Sequence, residues 1–344
     1  MDLTGNVIIV TGSNTGIGKP TVRVLASHGA TVVMACRSQQ RAAAAKSDII
    51  RRLTDPEGDA INFKNLSSDQ LEQSIDIIVL DLSSLESIAK FAEEFLSKYS
   101  SLNQLVLNAG MLTPQWMPTV DGIEMQFGVN HLGHQYLTSL LTPILIKSAK
   151  SGTISRIISV SSNAGNSLAP SPLRPYFETE DLIQNKDAEY DMMRRYGLTK
   201  AANIMFAKEF ERRFSADGVH AISLHPGLCT FNQYPWTQLT WSLVCRTGLI
   251  STEIARNFPP YLKRSASIFV ALFAKSLDQG AATTVRTVAM SDELFVQKGG
   301  AYFMNCQEFE SSMWIRKLNP DCQDPELQSM LWEMTEKMIN DRIQ

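Results

Sequence analysis

The chain has 344 residues, 44% hydrophobic and 19% charged, with a formal net charge of −3. That composition supports a packed core and excludes a disordered or low-complexity protein. Acidic and basic residues are interspersed, which excludes the basic footprint that nucleic-acid binding needs. The five cysteines are scattered and never in CxxC spacing. Neither a disulfide framework nor a zinc site is expected, and a reducing, cytoplasmic compartment is the default.

In chain order, the first apolar run is Asn6–Val10, read as a strand. It starts so early that no signal peptide or N-terminal anchor is expected ahead of it. Further Val- and Ile-rich runs follow at 31–35, 75–80, 104–107, 154–160 and 219–224, without polar alternation. Such runs read as strands covered on both faces. Helix-length amphipathic segments at 17–28, 38–53, 84–99, 124–149 and 197–215 alternate with them. This rhythm predicts an α/β fold, a doubly wound parallel sheet with helices on both faces. Residues 54–73 read as a surface insertion, and 163–190, with three prolines, as a long irregular loop.

The rest of the chain reads as part of the same single domain, 1–344. A cofactor-binding and catalytic core spans 1–227, a substrate-covering region 228–280, and a C-terminal strand and helix 281–344. The aromatics Tyr176, Phe177, Phe231, Tyr234, Trp236 and Trp241 are candidate pocket residues, with ordinary core packing as the alternative. The apolar stretch 266–274 is too short to span a bilayer. It reads as a buried or substrate-covering helix. The flanking Lys263, Arg264 and Lys275 give it a second reading as a peripheral membrane contact.

Between the first strand and the first helix stands Thr11-Gly-Ser-Asn-Thr-Gly-Ile-Gly18. Gly12, Ser13, Asn14, Thr15, Gly16, Ile17 and Gly18 form a tight turn whose backbone can approach a pyrophosphate at a positive helix end. The second strand ends at Cys36 and Arg37, with no carboxylate to take a ribose 2′-hydroxyl. Arginine pairs with a 2′-phosphate through its planar fork of donors, so NADP(H) is the expected cofactor. Asp81 and Leu82 follow the third strand. Asp81 could meet adenine or cap the next helix. Asn108, Ala109 and Gly110 follow the fourth strand at the same edge, as a cofactor contact or a plain turn.

Tyr196 and Lys200 stand at i and i+4, which puts them on one face of a helix. A neighbouring ammonium and a positive nicotinamide ring would favour the phenolate and lower the tyrosine pKa. Ser161 and Ser162 close the fifth strand, where a hydroxyl can hydrogen-bond a reacting oxygen. Asn130 lies inside the long helix, suited to a bend or water relay. His131 and His134 are spaced for a metal, but no third ligand is near, so helix packing is the expectation and no metal is.

Together these residues resemble the short-chain dehydrogenase/reductase family. Thr11-Gly-xxx-Gly-x-Gly18, Asn108-Ala-Gly110, Asn130, Ser162, Tyr196-xxx-Lys200 and Pro226-Gly227 occur in that family's order. The resemblance covers about residues 4–230. It implies a Rossmann-type sheet of about seven strands and a catalytic tetrad of Asn130, Ser162, Tyr196 and Lys200. It selects Ser162 over Ser161. It places Lys200 on the nicotinamide ribose, Asn108 against the cofactor, and Pro226 and Gly227 beside the nicotinamide.

Met34–Arg37, Gly128–His134 and His225–Gly227 resemble the retinol dehydrogenase and WW-domain oxidoreductase group. That implies an NADP(H)-dependent oxidoreductase interconverting alcohol and carbonyl on a retinoid-, steroid- or lipid-aldehyde-like substrate. A homodimer is a further expectation. Two rival readings share the fold. A non-catalytic NADP-binding sensor would be expected to lose Tyr196 or Lys200, and both stand. A photoreductase-like tetrapyrrole enzyme would carry a cysteine where this chain has Leu228.

Overall fold

The computed structural model describes residues 1–55, 57, 62–150, 153–184, 190–227, 276–309 and 318–343. The expected substrate-covering region, with Phe231, Tyr234, Trp236 and Trp241, falls almost wholly outside them, as does the apolar stretch 266–274.

The first half alternates strand and helix: Val7–Thr11 (β1), Gly18–Ser27 (α1), Thr31–Cys36 (β2), Gln39–Thr54 (α2), Ser68–Ser74 (α3), Ile75–Val79 (β3), Leu85–Lys98 (α4) and Gln104–Leu107 (β4). Next come Met125–Phe127 (α5), a π-helical turn over Gly128–Leu132, Gly133–Ala149 (α6) and Ser155–Val160 (β5). Three short helices follow, Ala164–Ser167 (α7), Arg174–Glu178 (α8) and Asp181–Gln184 (α9). The rest comprises Met192–Phe214 (α10), Val219–His225 (β6), Leu277–Val288 (α11), Asp292–Gln297 (α12), Tyr302–Met304 (β7), Gln307–Glu308 (β8) and Pro325–Ile343 (α13).

Among the described residues, eight strands form one sheet in the order β3-β2-β1-β4-β5-β6-β7-β8. β1 through β7 are parallel, and only the two-residue β8 runs antiparallel, against β7. The direction of winding reverses between β1 and β4, so a crevice opens at the carboxyl ends of those two strands.

Successive strand residues go to opposite faces. Ile9, Leu105, Ile157 and Ala221 join one core with α4, α6, α10 and α13. Ile8, Val10, Val106, Ile158 and Ile222 join the other with α1, α2, α11 and α12. Both faces are therefore dry, which is why the strands read as unbroken apolar runs.

The structure refines one sequence expectation and corrects two. The insertion at 54–73 contains α3, started by a capping box in which Ser67 and Gln70 satisfy each other's backbone N–H groups. The stretch 163–190 is not a featureless loop, because it carries three short helices, and Phe177 is buried in the core rather than free to line a pocket. The predicted helix 124–149 is interrupted: the Gly133 N–H reaches back to the Gly128 carbonyl, five residues away. Among the described residues, no helix is long and apolar enough to cross a membrane.

Candidate active site

The turn after β1 lies tight against the turn after β4. Gly12 has φ +63°, and a Cβ there would sit 2.9 Å from the Ala109 Cα. A Cβ at Gly18 would sit 2.7 Å from Asn108 Nδ2. These two positions admit no side chain, so the two turns close into one cradle. No side chain caps the first turn of α1, which leaves its N–H groups open to an anion. Asn108 donates Nδ2–H to the Thr11 carbonyl at 2.8 Å, while its Oδ1 is buried with no partner. A buried acceptor left open costs about 1–3 kcal/mol, so it fits a ligand that brings a donor. The cradle, the uncapped helix end and the open acceptor together suit a dinucleotide.

Arg37 follows β2 and is exposed, with no ion pair among the described residues. Cys36 before it is buried, and burial raises its thiol pKa, so it packs rather than reacts. Asp81 does not cap α4. Ser84 does, and Asp81 Oδ1 instead accepts from the Ser83 N–H and hydroxyl at 2.9 and 2.7 Å. Leu82 is buried in the core, so only its backbone lies at the crevice edge. Pro226 and Gly227 are buried at the end of β6, with Gly227 at φ +101°.

The structure brings Asn130, Ser162, Tyr196 and Lys200 together at this carboxyl edge. α10 starts at Met192 and presents Tyr196 and Lys200 one turn apart, with the Lys200 ammonium 5.6 Å from the Tyr196 ring centroid. Lys200 Nζ donates to the Val160 carbonyl at 3.0 Å. Ser162 lies beside the Tyr196 phenol, close enough to draw its pKa down, and accepts from the Ala164 N–H at 3.2 Å. Ser161 points elsewhere, donating to the Lys200 carbonyl. Geometry alone thus separates the two serines.

Asn130 is fully buried on the π-helical turn, and its amide both accepts from the Met111 N–H at 2.7 Å and donates to the Met111 carbonyl at 2.9 Å. It also donates to Thr199 Oγ1 at 3.2 Å, which ties it to α10. A Cβ at Gly110 would lie 3.3 Å from Lys200 Nζ and 3.7 Å from Asn130 Oδ1, so the missing side chain keeps that space open.

Electrostatics bears on the ammonium half of one expectation. Desolvation pushes the half-buried Tyr196 phenol up to about 12, and the one group that pulls it down is Ser162, not Lys200. Burial also brings the Lys200 ammonium down to about 8. Lys200 is buried and Tyr196 half-buried at the sheet edge, and desolvation there outweighs the ring–ammonium contact.

His131 and His134 do not share a ligand. His131 Nε2 meets Thr335 Oγ1 on α13 at 3.2 Å, and His134 Nε2 meets Thr11 Oγ1 at 2.9 Å. No group of three metal-ligating side chains exists among the described residues. Sequence reading missed Thr11, Thr199 and His134 as parts of the site. A buried threonine placed directly before the first glycine was the available signal for Thr11.

A twisted parallel sheet with a glycine cradle at its switch point defines a Rossmann-type dinucleotide-binding protein. The profile described as short chain dehydrogenase matches residues 6–174. The WW domain-containing oxidoreductase of Homo sapiens is 33% identical over 342 residues, covering 99% of this chain and 70% of that one. Retinol dehydrogenase 14 of Mus musculus is 32% identical over 337 residues, covering 97% and 86%. The NADPH-bound carbonyl reductase from chicken fatty liver shares the fold with a TM-score of 0.58 at 19% identity, covering 90% of this chain and 100% of that one. The chain belongs to the short-chain dehydrogenase/reductase family of oxidoreductases and is related to the retinol dehydrogenase and WW-domain oxidoreductase group.

Proposed function

We propose that this chain interconverts an alcohol and a carbonyl on an apolar, retinoid-, steroid- or lipid-aldehyde-like substrate, using NADP(H), with Tyr196 as general acid and base. The observation that carries this reading is the half-buried Tyr196 phenol beside Ser162, with the buried Lys200 ammonium 5.6 Å from its ring centroid. A phenol held neutral keeps its proton loaded at neutral pH, to be drawn off as negative charge develops on a carbonyl oxygen. Ser162, beside the phenol, would hydrogen-bond the reacting oxygen. Lys200 supplies positive charge beneath them, and Asn130 fixes the 111 turn beside it. When bound, the nicotinamide supplies the hydride exchange that accompanies this proton transfer.

The glycine cradle, the uncapped α1 and the open Asn108 Oδ1 support dinucleotide binding. The exposed, unpaired Arg37 supports a 2′-phosphate over a bare hydroxyl. We read 1–344 as one domain, with 1–227 as the core, 228–280 covering the substrate, and 281–344 completing the sheet and its outer layer. The related retinol dehydrogenase favours an apolar substrate by its name.

The test is Tyr196→Phe, which keeps the ring and removes only the hydroxyl. With NADPH and a panel of retinoid, steroid and short aldehydes, the variant should lose about 10²–10⁴-fold in kcat. NADPH affinity and Tm should stay near the parent values. Retention of most of the turnover sinks the reading and leaves a nucleotide-binding protein without this chemistry.

A further inference from the structure

His134 is one of two histidines in the Gly128–His134 motif that neither metal binding nor the tetrad explains. It is 3% exposed, on the first turn of α6, and reaches two parts of the site at once. Nε2 lies 2.9 Å from Thr11 Oγ1, and Nδ1 lies 3.1 Å from the Asn130 carbonyl oxygen.

The donors can be counted. Thr11 Oγ1 accepts the N–H of Asn108 at 2.9 Å and the N–H of Ala109 at 2.9 Å. A hydroxyl oxygen has two acceptor positions, and both are now filled. Its own hydrogen must therefore be given away. The Val106 carbonyl at 3.5 Å is a poor receiver, and His134 Nε2 at 2.9 Å is a good one. Nε2 is then an acceptor, and the ring hydrogen sits on Nδ1, where it donates to the Asn130 carbonyl. An imidazolium would aim Nε2–H at an oxygen with no lone pair left. Burial and the nearby Lys200 charge act in the same direction and take the ring down to about 4. Buried His131 is the other titratable neighbour, itself held neutral by burial.

The geometry points to His134 as a positioning residue, a neutral Nδ1–H imidazole that ties the cofactor cradle to the backbone of Asn130. On one side it completes the Thr11 hydroxyl that holds the Asn108–Ala109 turn. On the other it orients the carbonyl of the π-helical turn on which Asn130 sits. This inference rests on the oxidoreductase reading only for its catalytic half.

The first experiment is ¹⁵N NMR of the histidine-labelled full chain from pH 5 to 8. His134 should show the neutral Nδ1–H pattern throughout. An Nε2–H pattern, or a titration near the ordinary histidine range, overturns the assignment. The second compares three variants. His134→Leu should weaken NADPH binding and lower kcat, each by about tenfold. His134→Asn keeps a donor at the Nδ1 position and should recover kcat toward the parent while NADPH binding stays weak. His134→Gln keeps an acceptor at the Nε2 position and should recover NADPH binding while kcat stays low. Identical behaviour of all three overturns the two-sided role. Should the parent prove inactive on every substrate, the oxidoreductase reading fails, while the NMR and NADPH-affinity arms still decide this one.

Discussion

Lys200 shows how one residue sets a pH window. Its ammonium is buried, and burial brings its pKa down to about 8. Burial penalises the charged form, so the charge is present below that value and lost as pH rises through it. Tyr196 moves the opposite way, up to about 12, and stays protonated across the same range. For carbonyl reduction, kcat/KM should therefore be level near pH 6–7 and fall as pH rises through about 8, while the proton donor is still loaded. Lys200→Arg retains its charge at any working pH and should move the falling limb upward, at some cost in absolute rate from the bulkier head. A falling limb left in place by that substitution belongs to another group. The sequence names both residues and their shared helical face. It does not foretell that burial beats the ammonium, because that depends on how deep the strand ends lie, which no spacing encodes.

Among the elements, the π-helical turn does the most to shape the site. The Gly128-Val-Asn-His-Leu-Gly133 stretch sits inside a longer apolar helix pattern, and helical periodicity tolerates isolated glycines. The reading of one helix over 124–149 followed from that. The interruption has a packing cause that lies outside the segment. A Cβ at Gly133 would meet the Leu82 carbonyl at 2.6 Å, and one at Gly128 would meet Thr119 Cγ2 at 2.5 Å. Both glycines are places where distant chain presses on the helix, and sequence alone cannot say what presses. Gly133→Ala should force α6 away from Leu82, destabilise the fold by about 1–3 kcal/mol, and displace Asn130. Urea unfolding with a parallel assay checks this. A stable, fully active variant would show that the helix shifts freely and that its close approach is not needed. By contrast, α3 is legible: Ser67-Ser-Asp-Gln70 is a capping-box pattern, set in polar surroundings that otherwise resemble an insertion.

Across the whole molecule, α13 closes the back of the catalytic helix. Trp332 stacks on Phe206 with ring centroids 5.7 Å apart and planes within 3°, and the Arg213 guanidinium lies 4.9 Å from the indole. Gln135 Nε2 donates to the Trp332 carbonyl at 3.2 Å, so α6 is held as well. The helix itself is legible, since Leu327, Leu331, Trp332, Met334, Met338 and Ile339 form one apolar stripe. Its partner is not, because that contact joins segments far apart in the chain. Trp332→Ala should cost about 3–5 kcal/mol of stability and lower Tm by several degrees. NADPH affinity of the folded fraction should be nearly unchanged, since the cradle lies at the opposite edge of α10. Calorimetry with and without NADPH measures both, and a Tm within a degree of the parent would show that α13 is dispensable.

That arrangement also sets a timetable for the nascent chain. Phe206, Phe210 and Phe214 lie along α10, and Phe206 and Phe210 are buried in the finished molecule. Trp332 reaches all three, but it leaves the ribosome long after α10 does. At ~5–20 residues per second of synthesis, the aromatic row waits on the order of ten seconds for its cover. For most of that interval the growing chain carries a sticky strip beside a sheet that still lacks β7. Such an intermediate is what holding chaperones recognise, so the yield of this protein in a translating cell depends on their supply more than the calm surface of the folded molecule suggests.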